Sequence, residues 1–141
     1  MIIPVTNNNE KAWAELCTAL WPGDSLEGWL QERQSGALKN EFLYMLDGEA
    51  VAFVSLSLRH DYVEGAETSP VGYLEGIYVK PRHQNKGIAR ELVEFAKAWS
   101  AEKGCTQLAS DCELDNHISR KFHNKVGFTE ANTVVCFIMD L

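Results

Sequence analysis

The run Gln84-Asn85-Lys86-Gly87-Ile88-Ala89-Arg90 carries the sharpest chemical signal in the chain. It lies between an apolar stretch halted by Pro81 and a long helical pattern. A glycine there lets backbone N–H groups approach an anion, and the start of the following helix adds the positive end of its dipole. This is phosphate-binding chemistry. Neither a GxxxxGK[ST] run nor a GxGxxG fingerprint occurs, so the loop is not of the Walker or dinucleotide type. Two carboxylates sit close to it in the pattern. Glu75 lies within the strand-like run Tyr73-Leu74-Glu75-Gly76-Ile77-Tyr78-Val79, and Asp111 ends the next such run. Carboxylates so placed can bind a cation or take a proton.

The elements that must position these residues read as one domain. A chain of 141 residues with 45% hydrophobic and 23% charged residues has the globular balance and can bury a core without metal or disulfides. Trp13, Leu16, Cys17 and Leu20 share a helical face that Asn7, Asn8 or Asn9 can cap, and Trp21-Pro22-Gly23 ends it. A second helix spans about Leu26 to Gln34. Phe42 to Leu46, Asp47-Gly48 and Glu49 to Leu58 form a hairpin signal. After an acidic loop, Arg59 to Gly72, come the strand Tyr73 to Val79 and a helix from about Lys86 to Lys103, with Gly104 as its cap. Gly76 inside that strand suggests a bulge or a close backbone approach. A strand at Thr106 to Ser110, a helix at Asn116 to Val126 and a closing strand at Thr133 to Met139 complete the order β-α-α-β-β-β-α-β-α-β. That order predicts an α/β (α+β mixed) sheet covered by helices.

Charge narrows the partners. Thirteen Lys and Arg against twenty Asp and Glu give −7, which disfavours nucleic acid. From Glu41 to Glu75 stand seven acids and one base, Arg59, whereas Lys80 to Lys125 holds nine bases and six acids. One surface suits a cation and another an anion. No stretch is long and apolar enough for a membrane, and the first residues lack a signal-peptide layout, so a cytoplasmic protein is expected. The four cysteines and four histidines show no metal-binding spacing, so no metal site is predicted. Cys17, Cys105 and Cys136 read as small core residues.

The strand-and-loop run, with Gln84-x-x-Gly87-x-Ala89, resembles the acetyl-CoA motif of the Gcn5-related N-acetyltransferase superfamily. Asp115-Asn116 and Phe122 to Phe128 resemble its second cofactor segment. Leu20-Trp21-Pro22-Gly23, Arg59-His60-Asp61-Tyr62-Val63, Ser69-Pro70 and Ala109-Ser110-Asp111 are similar to segments of the aminoglycoside 6'-N-acetyltransferases. The resemblance implies a GNAT-type, mostly antiparallel sheet with a splayed central parallel strand pair. It also implies acetyl-CoA as co-substrate, acetylation of the 6'-amine of drugs such as kanamycin and tobramycin, and a homodimer.

Carried onto this chain, the resemblance puts the pantetheine arm along the backbone of Ile77, Tyr78 and Val79. The pyrophosphate falls on N–H groups of Asn85, Lys86, Gly87, Ile88, Ala89 and Arg90, with Gln84 flanking and Asn116 on the far side. Such an acceptor is a polycation whose amine must lose a proton before attacking the thioester in a ternary complex. Glu75 is read as the base and Asp111 as the group that orients the amine. Trp21, Tyr62 and Asn132 are further acceptor-site candidates. His123 stands where many members carry a tyrosine that protonates the departing thiolate, and its role stays open. Another cationic amine, a polyamine or a protein N-terminus, is the alternative acceptor.

Overall fold

In the computed structural model, which describes residues 1–141, five strands and four helices follow one another. They are β1 (Ile2–Pro4), α1 (Glu10–Leu20), α2 (Leu26–Gln34), β2 (Asn40–Leu46), β3 (Glu49–Arg59), β4 (Val71–Val79), α3 (Ile88–Glu102), β5 (Leu108–Ser110) and α4 (His117–Lys125). The strands form one sheet in the order β1-β2-β3-β4-β5. All neighbours are antiparallel except β4 and β5, which are parallel. The mixed class expected from the element order is what the chain adopts.

Local chemistry accounts for the hairpin at its centre. Asp47 and Gly48 both take left-handed backbone, with φ of 50° and 80°. That is the geometry of the two-residue turn whose twist matches a paired ribbon. Each face of the resulting sheet is then covered by helix. Trp13, Ala14, Leu16 and Cys17 of α1 pack on Leu43 and Phe53. Ile88, Leu92, Ala96 and Trp99 of α3 pack on Val54, Leu56, Leu74 and Val79. Full burial of side chains of this size contributes roughly 1.5–3 kcal/mol each, so the two layers clamp the strands between them.

One irregularity sets up the site. Ser55 pairs with Gly76 and Leu56 with Leu74, which leaves Glu75 as the extra residue of a β-bulge. Side chains change faces across such an insertion. Leu74, Ile77 and Val79 pack toward α3, while Tyr78 packs with the α1 layer. Gly76 lies against Trp21. On its other side β4 pairs with β5 only at Gly72, Tyr73 and Leu74. Past the bulge the two strands part, and that edge of Ile77 to Val79 stays open.

Several expectations are corrected. Thr133 to Met139 forms no strand: residues 126 to 141 carry no helix or strand, and the parallel pair therefore stands at the end of the sheet. Cys136 is exposed, whereas Cys17 and Cys105 are buried as expected. Asn9 precedes α1 without capping it. Its Oδ1 accepts from Thr6 N at 2.7 Å, and its amide donates to Pro4 O at 3.2 Å. α3 begins at Ile88, because Asn85 and Gly87 take left-handed backbone, with φ of 60° and 86°.

Gly76 has no room for a side chain. A Cβ there would stand 2.3 Å from Trp21 Cη2, the edge of a rigid ring. Gly76→Ala is expected to destabilise the protein by about 1–3 kcal/mol and to shift tryptophan fluorescence. An unchanged melting temperature would contradict this packing.

Candidate active site

On the face covered by α1 and α2, polar side chains from neighbouring strands meet at one end of the sheet. β2 supplies Glu41, β3 supplies Ser55, Ser57 and Arg59, and β4 supplies Tyr73 and Glu75. Asp111 follows β5. A cleft of about 610 Å3 opens over part of this row, lined by Trp13, Trp21, Trp29, Glu41, Ser55, Ser57 and Glu75 among others. Trp21 stacks on Trp29 with ring centroids 5.0 Å apart and meets Phe53 edge-on at 5.9 Å. Two flat aromatic surfaces thus wall a cleft that has carboxylates at its floor.

The bulge aims Glu75 into this cleft, where its side chain is 33% exposed. Its Oε1 accepts from Ser57 Oγ at 2.7 Å and from Arg59 Nε at 3.0 Å. Arg59 Nη2 donates to both oxygens, at 2.7 and 2.8 Å. The guanidinium also stacks on Tyr73, 3.4 Å from the ring centroid. Tyr73 in turn donates its hydroxyl to Asp111 Oδ2 at 2.6 Å. One arginine–tyrosine unit therefore links the two carboxylates singled out from the sequence. Burial, then the bond to Asp111, pushes the Tyr73 hydroxyl well above its ordinary range, so it remains a donor.

Glu41 is the most buried acid of the row, 4% exposed. Trp13 Nε1 donates to Oε2 at 3.1 Å, and Ser55 Oγ donates to Oε1 at 2.6 Å. Burial pushes its carboxyl up to about 7. The bonds from Ser55 and Trp13 pull it back, and the charges of Glu75 and Glu32 push it further up.

The loop toward α3 has the form expected of an anion cradle. The first bond of α3 runs from Glu91 N to Gly87 O at 3.0 Å, so the N–H groups of Ile88, Ala89 and Arg90 precede the helical ladder. Gly87 is required by its left-handed φ of 86°, since a Cβ there would meet nothing within 4 Å. Gln84 donates to Val79 O at 3.0 Å and ties the loop to β4. Asn116 caps α4, its Oδ1 accepting from Ser119 N at 3.1 Å.

Not every expected residue joins the cleft. Tyr62 is 81% exposed in the loop before β4. Asn132 donates to Glu64 Oε2 at 3.1 Å, away from the tryptophan walls. Neither lines the cleft. His123 has both ring nitrogens engaged: Nδ1 lies 2.7 Å from Ser119 O, and Nε2 lies 2.7 Å from Ser110 Oγ. A carbonyl only accepts, so Nδ1 carries a hydrogen. This places His123 as a tie between α4 and β5. Glu41, Ser55, Ser57 and Trp29 were not singled out from the sequence. The alternation Val54-Ser55-Leu56-Ser57-Leu58 does place polar residues on one strand face, and that was the available signal.

The fold and this site define an acyltransferase architecture, and comparison with known proteins agrees. The acetyltransferase (GNAT) family matches residues 7–128, and the chain belongs to that family. It is 42% identical over 139 residues to the aminoglycoside N(6')-acetyltransferase type 1 of Acinetobacter haemolyticus, covering 96% of this chain and 95% of the relative. Its counterpart in Serratia marcescens is 40% identical over 141 residues, covering 97% of each chain. Among solved structures, the apo aminoglycoside 6'-N-acetyltransferase AAC(6')-Ig of A. haemolyticus superposes with a TM-score of 0.94 at 40% identity, over 100% of this chain and 99% of that one. AAC(6')-Iy bound to the bisubstrate analogue CoA-S-monomethyl-acetylneamine gives 0.93 at 34% identity, over 100% and 98% of the two chains.

The raised Glu41 carboxyl makes stability depend on pH. Between the ordinary carboxyl value near ~4.3 and about 7, the unfolded chain is ionised while the folded chain keeps the proton. The stabilisation is complete below the lower value and is lost as pH rises through the upper one. Glu41→Gln stays neutral throughout and can keep both hydrogen bonds. It should match the wild type in stability near pH 4 and exceed it by about 3–4 kcal/mol at pH 8. Denaturant unfolding across that range checks this, and a gap that does not vary with pH would contradict it.

Proposed function

We propose that this chain transfers the acetyl group of acetyl-CoA to the 6'-amine of aminoglycoside antibiotics, a reaction that confers resistance. The observation that carries the reading is the carboxylate row under paired tryptophans. It faces the side of the sheet where β4 and β5 part, in a chain 34–42% identical to proteins named for this activity.

The residues present fit the co-substrate. The open edge of β4 offers backbone groups of Ile77, Tyr78 and Val79 to an amide-bearing arm. The N–H groups around Asn85, Lys86, Gly87, Ile88, Ala89 and Arg90 suit a pyrophosphate. Gln84 holds that loop to β4, and the Asn116 amide remains free to donate from the far side. When bound, acetyl-CoA supplies a thioester, an acetyl group that a neutral amine can take with CoA leaving as the thiolate.

The chain's own task is the proton. The acceptor arrives as a polycation, and the acidic cleft attracts it. Arg59 occupies Glu75 in the free protein, and with its side chain 41% exposed it can move aside. A half-exposed pair of this kind is worth roughly 0–1 kcal/mol, so exchange for an acceptor ammonium costs little. Glu75 then takes the proton as the amine becomes nucleophilic, while Asp111, held by Tyr73, orients the amine. Trp21 and Trp29 hold the sugar rings. Tyr62 and Asn132, on the loop and the arm beyond α4, extend the acceptor surface.

We also propose a homodimer acting in the cytoplasm. The arm after α4 supports the dimer: Val134, Val135, Phe137, Ile138 and Met139 are 55–97% exposed. The outer edge of β5 has no partner strand. An arm so apolar, beside an unpaired edge, is suited to pairing with a second copy. No helix is long and apolar enough to cross a membrane, and the four cysteines are free. The free cysteines are in keeping with a reducing compartment.

Thiol release and product mass spectrometry with acetyl-CoA and tobramycin, kanamycin or spermidine test the reaction. One acetyl group on the 6'-amine of the drugs, with little on spermidine, is expected; preference for spermidine overturns the acceptor assignment. Glu75→Gln and Asp111→Asn should each lower turnover by roughly 10²-fold or more with the affinity for acetyl-CoA unchanged. Equal losses in both quantities would contradict these roles. Light scattering should give twice the 15.8 kDa chain mass, and removal of residues 133–141 should give the monomer. A wild type that is monomeric at micromolar concentration overturns the dimer.

A further inference from the structure

Glu41 presents a charge problem that the reaction leaves unused. Its two oxygens are buried against neutral donors alone, Trp13 Nε1 and Ser55 Oγ. Buried carboxylates are ordinarily paired with a cation, because an unpaired buried charge is costly. The ionisable groups around it are Cys17 on α1, Glu32 on α2, Lys39 before β2, and Glu75 on β4. Arg59 is taken up by Glu75, and Lys39 is in none of the ion pairs of the chain. A brace between α1 and β3 would not need an acid at this place. Glutamine would accept from Trp13 through its carbonyl and donate to Ser55 through its amide.

Position gives the acid a second use. Glu41 lines the same cleft as Glu75, two strands across the sheet with β3 between them, under the stacked Trp21 and Trp29. Trp29 Nε1, on the same wall, is buried without a hydrogen-bond partner. A donor left unpaired at a cleft wall is what a ligand hydroxyl would satisfy. The cleft thus holds an unanswered donor on its wall, an uncompensated acid at its floor, and a volume fit for a sugar-sized ligand.

We propose that Glu41 is a specificity-determining residue of the acceptor cleft, a carboxylate that pairs with a second ammonium group of a polycationic acceptor while Glu75 serves the reacting amine. The proposal rests on the reading of this cleft as the acceptor site. Burial keeps the carboxyl protonated up to about pH 7 in the free protein. When the ammonium docks, the O–H bond of Glu41 breaks, its proton passes to solvent, and the carboxylate keeps the electron pair against the cation. A monoamine has no second charge to offer and gains nothing from this exchange. Selectivity for polycations follows from a group that becomes charged on demand.

Calorimetric titration of the full chain with tobramycin at pH 7, in two buffers of different ionisation enthalpy, reads affinity and proton release together. Glu41→Gln should bind tobramycin about tenfold more weakly. It should also lose the fraction of a proton, about half at pH 7, released by the wild type, while its affinity for acetyl-CoA and for a monoamine such as benzylamine stays unchanged. Glu41→Asp should restore part of both losses. A melting temperature at pH 8 no lower than that of the wild type excludes misfolding as the cause. Equal affinity and equal proton count in Glu41→Gln and wild type would overturn the proposal and leave Glu41 as a brace. If spermidine rather than tobramycin binds with this same dependence on Glu41, the proposal stands and the aminoglycoside assignment fails. If no polycation binds the wild type, both are overturned.

Discussion

The bulge at Glu75 puts β4 one residue out of step with β3, and a sheet cannot absorb that step without changing what each face presents. Before it, Leu74 points to the α3 layer; after it, Ile77 and Val79 do. The inserted residue itself is released from pairing and aimed at the cleft. The same strand parts from β5 just past the bulge, after Leu74. The carboxylate proposed to meet the cation and the backbone edge proposed for the pantetheine arm therefore adjoin at one local irregularity. Gly76 beside it lets Trp21 close down on the strand, which joins the cleft wall to the bulge. A strand without the extra residue would turn the side chains beyond it to the opposite face, and the two half-sites would no longer adjoin.

Electrostatics then separates the two sides of the proposed reaction. The loop from Asn85 to Arg90 presents N–H groups at the start of a fifteen-residue helix, whereas the face under α1 and α2 gathers Glu41, Glu75 and Asp111. These acids are not equivalent. Glu75 is half-open and already paired with Arg59; Asp111 is exposed and held by Tyr73; Glu41 is buried at the cleft floor and held only by neutral donors. Such a gradient from screened to desolvated charge makes each acid respond to an incoming cation in a different way.

Much of this was legible from sequence where the signal is local. The Asp47-Gly48 turn, the apolar faces of α1 and α3, the glycine loop and the suspected irregularity at Gly76 all depend on residues within a few positions of one another. Glu41 did not stand out, because its burial comes from three elements, α1, β2 and β3, meeting across distant parts of the chain. Trp29 was hidden by a helix with no fully buried residue, which leaves little periodicity to read. Thr133 to Met139 has the composition of a strand and yet forms none. Composition states that a segment favours extended pairing; it does not supply the partner edge. The same apolar run that suggested a closing strand is now the largest exposed apolar feature of the chain.

In the proposed reaction the bulged strand brings a cationic acceptor to Glu75 on one side and the thioester to the open edge of β4 on the other. A crystal structure of the chain with CoA and tobramycin bound together tests it most directly. The 6'-nitrogen is expected within hydrogen-bond distance of the Glu75 carboxylate, with Arg59 displaced from it and the pantetheine arm along Ile77 to Val79. A 6'-nitrogen seated away from Glu75, with the Arg59 pair intact, would contradict it.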